Sequence, residues 1–567
     1  MQIISLKVKN YRNLNEVDIS FNPNCNFIVG ENNLGKSNLL NLLQIIFTNR
    51  SFKIDDFSNI DDSIEIELTL KLDDIEIGQF EDLFDNETTN HVNIICEQKT
   101  VDDNLEFYHK ETNIYIPASK VRGINFVYHN SLRNPIQEVS FGKSKGVSRF
   151  LNNVVQRYLV ENELKNQDFL REEKINELLE YINTNITKIK TFKEFDISVI
   201  QDKELESLLP KLLVFEDKNH NSLTKSGYGI QFLILITLSI LEKIESILSK
   251  KNVNGIFETT DGEKYISLVI GLDEPEIHLH PYMQRSLIKY LNKIIANENE
   301  DFRELIKELF DIDGFIGQII LVTHSPNILL NDYKKIIRFY VENDLTKIVS
   351  GSSFDLAPDE TKHLHLLLPF IKEAFFSRGV LLVEGDSEYA SFPNFANAFG
   401  YDFDELGISL IQTRGEGGIK PAIELLNKFS IPAVAIRDRD DLTDNSEFPI
   451  YLTSKRDFEE ELIEHNFNSE ILEDILLEYD TQGENRKLQK GALIKKAKNY
   501  GLEEPAGDLR YKDISSEADK KIFFITWYSI NKSVILGLLI GQTLSNNQIP
   551  QVYKIVIQKI VELVSND

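Results

Sequence analysis

Hydrophobic and polar positions alternate with period two over Ile4-Ser5-Leu6-Lys7-Val8 and over Val17-Asp18-Ile19-Ser20-Phe21, which predicts two half-buried strands. A short apolar run, Asn26-Phe27-Ile28-Val29, predicts a third. The period then changes. Leu39, Leu40, Leu42, Leu43, Ile46 and Phe47 fit one face of a helix. Residues 64–72 alternate cleanly, as expected of an antiparallel strand with one solvated face, and further strand candidates lie near 92–98 and 113–116. From about 145 to 195 the apolar residues recur at i+4 (Phe150, Val154, Tyr158; Leu151, Val155, Leu159), and Ile175, Leu178, Leu179 and Ile182 continue the pattern. A helical insertion over about 145–210 follows, either packed on its own domain or serving as a dimerisation arm. Apolar runs at 267–272, 318–323, 379–383 and 433–436 predict buried strands, and an apolar helix runs from Phe232 to about Leu248. The expected class is α/β with a mixed sheet, in two domains, 1–370 and 371–567, divided near 370 behind Pro358 and Pro369.

A chain of 567 residues has room for both domains, and 42% hydrophobic with 27% charged residues is a soluble globular composition. No apolar run reaches membrane-spanning length, and Met1-Gln2-Ile3 leads straight into strand pattern. Cys25 and Cys96 lack metal-ligand spacing and read as inert residues of a reducing cytosol, so a cytoplasmic protein without a membrane partner is expected. A formal charge of −28 argues against a broadly basic nucleic-acid coat. Nucleic acid would have to be met by a local patch or through bound metal. One basic run exists: Arg486, Lys487, Lys490, Lys495, Lys496 and Lys498, with the single acid Glu484. It reads equally as a grip on a duplex backbone or as a solvated helix face.

Four motifs carry chemistry in the first domain. Gly30-Glu31-Asn32-Asn33-Leu34-Gly35-Lys36-Ser37 lies between strand and helix, the order a phosphate-binding loop requires. Gly30 and Gly35 permit backbone conformations that turn successive N–H groups towards one anion, and the helix adds its positive end. With Asn33 in the same loop, Lys36 would reach the β/γ-phosphates and Ser37 would hold Mg²⁺. Ser226, Gly227 and Gly229 precede the apolar helix and offer a second phosphate contact. The strand at 267–272 ends in Asp273, a carboxylate for Mg²⁺, and Glu274, one to polarise water. His324 follows the strand at 318–323, where a γ-phosphate sensor belongs.

In this order the motifs resemble the ABC-type ATPase heads of the SMC and RecF kind over roughly residues 1–350. The resemblance implies that Gly30–Ser37 is the Walker A, Ser226–Gly229 the signature, Asp273-Glu274 the Walker B pair and His324 the switch histidine. It also implies a homodimer or higher assembly, the signature of one subunit closing over the nucleotide of another. The signature lacks the usual Gly-Gly-Gln ending, and no glutamine is clearly placed for the Q-loop. Both departures bear on hydrolysis more than on binding.

In the second domain an apolar strand delivers Glu384, Gly385 turns the chain, and Glu388 starts a helix; a second strand, 433–436, ends before Asp438 and Asp440. Strand ends in an open α/β sheet converge on one crevice, so these carboxylates could meet. Clustered carboxylates without His or Cys suit Mg²⁺ or Mn²⁺. The pair of motifs resembles the TOPRIM fold. A TOPRIM domain behind an ABC head is the arrangement of the OLD-family (overcoming lysogenisation defect) nucleases, which include the nuclease component of the Gabija anti-phage system. The resemblance implies an ATP-regulated endonuclease that cleaves DNA by two-metal hydrolysis in anti-phage defence, with a helicase partner in the Gabija case. It implies metal ligation by Glu384, Glu388, Asp438 and Asp440, joined by Asp457 or Glu459, and a charge-stabilising Lys532. An ATP-dependent DNA clamp or sensor without cleavage, and a nuclease for RNA, are the alternatives.

Overall fold

The computed structural model describes residues 1–48, 50–80, 83, 90–130, 146–161, 172–201, 213–217, 222–223, 227–249, 255–277, 279–413, 415–439 and 448–565. They form two compact units: Met1–Tyr340 with Asp344–Phe354, and Val341–Asn343 with Asp355–Asp567.

The strands of the first unit are β1 (Gln2–Lys9), β2 (Val17–Ser20), β3 (Cys25–Gly30), β4 (Ile64–Lys71), β5 (His91–Gln98), β6 (Glu106–His109), β7 (Asn125–His129), β8 (Ser198–Gln201), β9 (Leu213–Glu216), β10 (Ile256–Glu258), β11 (Lys264–Asp273), β12 (Gly314–Val322), β13 (Ile336–Glu342) and β14 (Leu345–Ser350). Strands β2-β1-β4-β5-β6 make an antiparallel sheet. In β4, Ile64, Ile66, Leu68 and Leu70 are buried while Glu65 and Lys71 are exposed, so period-two patterning fixes which face meets the core. The second sheet runs β10-β11-β12-β3-β13-β14, with β7 also on β11. Strands β7, β11, β12, β3 and β13 are parallel to one another. Covered on both faces, β3 is buried throughout, which is why it reads as an apolar run rather than an alternation. The register Asp273↔Val322 and Val322↔Ile28 brings three strand ends to one edge.

The stretch at 113–116 is not a strand. Asn113 has φ +54° and turns the chain back along β6, where His109 N–H donates to Ile114 O and Ile116 N–H to Phe107 O, each at 2.8 Å; Ile114 and Tyr115 are more than half exposed, and the pairing amounts to an isolated Tyr108–Tyr115 bridge. The insertion begins with the helices Val147–Glu161, Glu172–Ile186 and Lys190–Glu194. The first of them is tied to the helix Tyr228–Leu248: Arg149 Nη2 lies 3.0 Å from Glu242, and Glu245 accepts from Arg157 and Asn153, each at 2.8 Å. Cys25 and Cys96 are both buried free thiols, and burial pushes the Cys25 pKa up to about 12. Among the described residues no helix is long and apolar enough to cross a membrane.

The second unit holds a parallel sheet β16-β15-β17-β18, made of β15 (Gly379–Val383), β16 (Ile408–Gln412), β17 (Ala433–Arg437) and β18 (Ile450–Leu452). The helix Pro358–Ile371 belongs to this unit. Tyr553, from the helix Gln551–Ser565, stacks on Phe395 (5.9 Å, 10°) and on Phe458 (5.4 Å, 23°), clamping the helices that carry Glu388 and Glu459. Two glycines seat the helix Val534–Thr543 on Asp386–Ala398. A Cβ on Gly537 would stand 2.6 Å from Ser387 O, and one on Gly541 would stand 3.0 Å from Ser391 O. Ser391 Oγ donates to Gly537 O at 2.8 Å across the same contact.

Candidate functional site

The first cluster forms where β3, β11 and β12 end. Gly30 has φ +127°, and a Cβ there would lie 2.1 Å from Phe339 O; Gly35 has φ +84°, with Asn13 Oδ1 filling the space a Cβ would need. Asn33, at φ +64°, is also left-handed. The loop therefore curls tightly onto the helix Lys36–Thr48. Lys36 Nζ donates to Gly30 O at 2.9 Å and also to Glu31 O. Burial lowers its pKa to about 8. Ser37 Oγ donates to Asp273 Oδ1 at 2.9 Å, and Tyr128 OH to Asp273 Oδ2 at 3.4 Å. Burial raises the Asp273 pKa. Glu274, at φ +49°, turns the chain off β11 while its N–H donates to Val322 O at 2.9 Å. His324 Nε2 lies 3.5 Å from Glu274 Oε1, and burial, with Lys36 acting in the same direction, lowers its pKa. A buried ammonium, a strained glycine loop and a hydroxyl–carboxylate pair are the parts a nucleoside triphosphate needs. Gly227 caps the helix Tyr228–Leu248 and Gly229 sits in its first turn; Ser226 lies outside the described residues.

The second cluster forms where β15 and β17 end as parallel neighbours, Val383 paired with Ile436. Glu384 and Asp438 therefore leave the sheet side by side, and Asp438 N–H donates to Glu384 Oε2 at 3.2 Å. Gly385 lets Glu388 fold back, because a Cβ there would meet Glu388 Oε2 at 2.8 Å. Phe458 N–H donates to Asp438 Oδ1 at 3.0 Å, and Ser387 Oγ to Glu459 Oε1 at 3.4 Å. Lys532 Nζ stands 2.5 Å from Glu459 Oε2. Asp457 instead caps the helix Phe458–Asn466, accepting from Glu460 N–H at 2.9 Å and from Tyr500 OH. Asp440 lies outside the described residues. Glu384, Glu388, Asp438 and Lys532 line one cleft of about 270 Å³ with Asp386 and Gln412.

Burial dominates the electrostatics here, and the neighbouring carboxylates add to it. Burial, then the charge of Glu459, raises the Glu388 pKa to about 7. Burial, then Glu388, raises Asp438 to about 9. Burial also raises Glu459. For Lys532 burial opposes the charge, but the Glu459 carboxylate prevails and the pKa rises. Among the described residues no group of three or more His, Cys, Asp or Glu is arranged to hold a metal ion. The carboxylates turn to Lys532 and to main-chain N–H groups rather than to one point. The donor set is nevertheless all oxygen, the chemistry of a hard cation.

Sequence reasoning missed Tyr128, Tyr500 and Glu276, whose roles depend on long-range contacts. Four of the six residues in the basic run are engaged within their own unit: Arg486 with Asp480 (2.7 Å), Lys487 with Asp508 (2.8 Å), Lys490 with Ala506 O (2.9 Å) and Lys498 with Glu504 (3.9 Å). Lys496 instead lies 5.6 Å from the ring centre of Tyr500, the tyrosine bonded to Asp457.

Residues 1–329 match the family model of the AAA ATPase domain, and residues 375–440 match that of the overcoming lysogenization defect protein-like TOPRIM domain. The chain is 24% identical over 481 residues to the OLD nuclease of Thermus scotoductus (strain ATCC 700910 / SA-01), covering 77% of this chain and 81% of that protein. It is 22% identical over 478 residues to Endonuclease GajA of Bacillus cereus (strain HuB5-5), covering 75% of this chain and 64% of that one. The solved C-terminal region of the Burkholderia pseudomallei OLD protein is 19% identical, with a TM-score of 0.24, over 33% of this chain and 99% of that region. Residues 1–329 are more than half of the chain, which therefore belongs to the AAA ATPase domain family and carries an OLD-like TOPRIM domain behind it.

Proposed function

We propose that this chain is an ATP-regulated, metal-dependent endonuclease that cleaves DNA by phosphodiester hydrolysis and serves in anti-phage defence. The observation that carries this reading is the carboxylate cluster of half-buried Glu384 and Asp438 with buried Glu388 and Glu459, and Lys532 as its facing cation. The names of the two relatives as nucleases support the chemistry. Mg²⁺ or Mn²⁺, held by Glu384, Glu388, Asp438 and Asp440 with Glu459 or Asp457, would supply Lewis acidity toward the phosphodiester. Lys532 lies at the rim of the same cleft, where its ammonium can stabilise the charge that develops on a phosphorane. Glu459 holds that ammonium in place, and Ser387 orients Glu459 from the helix that carries Glu388. Tyr500 and the cap of the helix Phe458–Asn466 fix Asp457 beside them.

In the other unit, Gly30, Asn33, Gly35 and Lys36 would bind ATP phosphates, Ser37 and Asp273 its Mg²⁺, while Glu274 polarises water and His324 senses the γ-phosphate. Ser226, Gly227 and Gly229 would act from a second copy, giving a homodimer or larger assembly. A helicase partner and a cytoplasmic location complete the proposal. The test is incubation of purified protein with plasmid, linear DNA and tRNA in Mg²⁺ or Mn²⁺. DNA cleavage that disappears in Glu384→Ala and Asp438→Ala, with ATP binding retained, is the expected result. DNA binding without cutting would favour a sensor, and cleavage of tRNA alone would make the substrate RNA.

A further inference from the structure

One cleft of the first unit lies away from the phosphate loop. It has a volume of about 700 Å³ and opens where β11 and β12 begin, at Tyr265 and Phe315–Gly317. The Walker residues lie where the same parallel strands end. At about 3.3 Å per residue, the eight steps from Tyr265 to Asp273 separate the two places by roughly 25 Å. This is a second site, not an extension of the first.

Its chemistry is mixed in a particular way. Tyr265 gives it aromatic surface and Leu330 aliphatic surface, with buried Phe315 and Ile295 behind them. Lys289, Lys293 and Lys335 line it as well. Lys289 and Lys293 are one turn apart on the helix Pro281–Ile295, and among the described residues neither ammonium group has an ion-pair or hydrogen-bond partner. Like charges at i and i+4 repel, and an anion between them relieves that repulsion. Lys335 has only a loose pair, 3.6 Å from Asp332. Two acids, Asp73 and Glu298, also line the cleft, leaving the lysines in excess in a chain that is otherwise strongly acidic. Aromatic surface beside an ammonium pair, at a volume typical of small-molecule sites, suits a ring joined to a phosphate.

The helix that carries the lysines also reaches the switch. At its start Gln284 Nε2 donates to Leu279 O at 2.9 Å, and Gln284 Oε1 accepts from Ser325 Oγ at 2.7 Å, next to His324. One rigid rod therefore has its first turn against the γ-phosphate sensor and its last turns in the cleft.

We propose that this cleft is a second nucleotide site, which takes a nucleoside phosphate on Lys289 and Lys293 and is coupled to the Walker site through the helix Pro281–Ile295. The proposal does not depend on the nuclease reading. The test is equilibrium dialysis of the full-length protein against ADP. Wild type is expected to bind two equivalents per chain, Lys36→Ala one and Lys289→Glu/Lys293→Glu one, with the triple variant binding none. Adenosine without phosphate should not displace the second equivalent. Both lysines are exposed, so the double variant should melt within a few degrees of wild type. A wild type that binds one equivalent, lost entirely in Lys36→Ala, would overturn the proposal. So would a double variant that retains both equivalents. If Lys36→Ala kept two equivalents while the double variant lost one, the Walker assignment would fail and the second site would stand.

Discussion

The main-chain N–H of His324 donates to Glu276 Oε1 at 2.6 Å, and Thr323 Oγ1 donates to the same oxygen at 2.8 Å. Glu276 follows β11 and His324 follows β12, so a single carboxylate ties the turn after Asp273 to the loop after β12. The other oxygen, Oε2, is buried without a partner among the described residues, and burial raises the Glu276 pKa. Glu276 does not face the nucleotide loop through any of these bonds; it positions His324. Losing two hydrogen bonds of about 1 kcal/mol each should misplace the histidine and slow ATP turnover by up to roughly thirtyfold. Glu276→Ala should show that loss with ATP affinity within twofold. Glu276→Gln, which keeps an accepting oxygen, should restore most of the rate.

Lys36→Ala should abolish ATP binding without unfolding the protein. Its ammonium is buried, bonds only loop carbonyls, and has its pKa lowered to about 8. A lysine with a depressed folded pKa is a destabilising charge at neutral pH, and that penalty fades as pH rises through 8. The melting temperature of the variant should equal or slightly exceed that of wild type at pH 7, a difference that shrinks by pH 9. Nucleotide titration followed by calorimetry reads the first effect and thermal melts read the second.

The crowded carboxylates predict a pH response of opposite sign. Glu388 is raised to about 7 and Asp438 to about 9, against unfolded values of roughly 4. The folded state then binds more protons than the unfolded one between pH 4 and 9, so stability falls as pH rises through that window. In EDTA the melting temperature of this unit should drop from pH 6 to pH 9. Mn²⁺ should reverse the drop, most strongly at the alkaline end, and Glu388→Gln should flatten it. A flat profile in wild type with EDTA would contradict the crowding.

Lys532→Met should reduce cleavage by about 10² to 10³, the cost of removing one positioned charge stabiliser. Glu459 is then left buried with its cation gone, so the variant should also lose stability. Gly537→Ala separates position from charge. Its new Cβ would meet Ser387 O, at a cost of about 1–3 kcal/mol for overpacking, and would push the helix following Lys532 off its seat. Cleavage should fall with Lys532 still present, and the loss should be smaller than in Lys532→Met.

The parts of this protein that were legible in sequence are those whose chemistry is local. A strand, a glycine turn and a helix lie within a few residues at Gly30–Ser37, and again at Glu384–Glu388, so spacing alone places the groups. What spacing could not decide was Asp457 against Glu459. Both lie close behind β18, and only the helix geometry sends Asp457 to a cap and Glu459 to Lys532. Tyr128 is 145 residues from the Asp273 it touches, so no window of sequence could join them. The apparent strand at 113–116 failed for a related reason. Ile114 and Tyr115 face solvent beyond a turn, Ile116 alone is buried, and two hydrogen bonds to β6 leave only an isolated bridge.

Phosphodiester hydrolysis is downhill and needs no ATP energy, so an ATPase domain joined to a nuclease domain serves better as a switch than as a motor. A ligand can shift a conformational equilibrium only by its difference in affinity for the two states. Moving the population from about 1% to about 99% takes roughly 5.5 kcal/mol of such preference. A triphosphate closed between Lys36 of one copy and the Gly227–Gly229 turn of another could supply that much through several charge-assisted hydrogen bonds. We expect the sign to be inhibitory, because a nuclease that is unrestrained at cellular ATP would endanger its own host. Cleavage should then fall as ATP, or a non-hydrolysable analogue, is titrated in, and Lys36→Ala should cut at every nucleotide concentration. The analogue matters: if it inhibits as well as ATP does, binding rather than turnover sets the switch. Rising cleavage would reverse the sign, and identical cleavage by wild type and Lys36→Ala across the whole titration would show that the ATPase domain does not gate the nuclease.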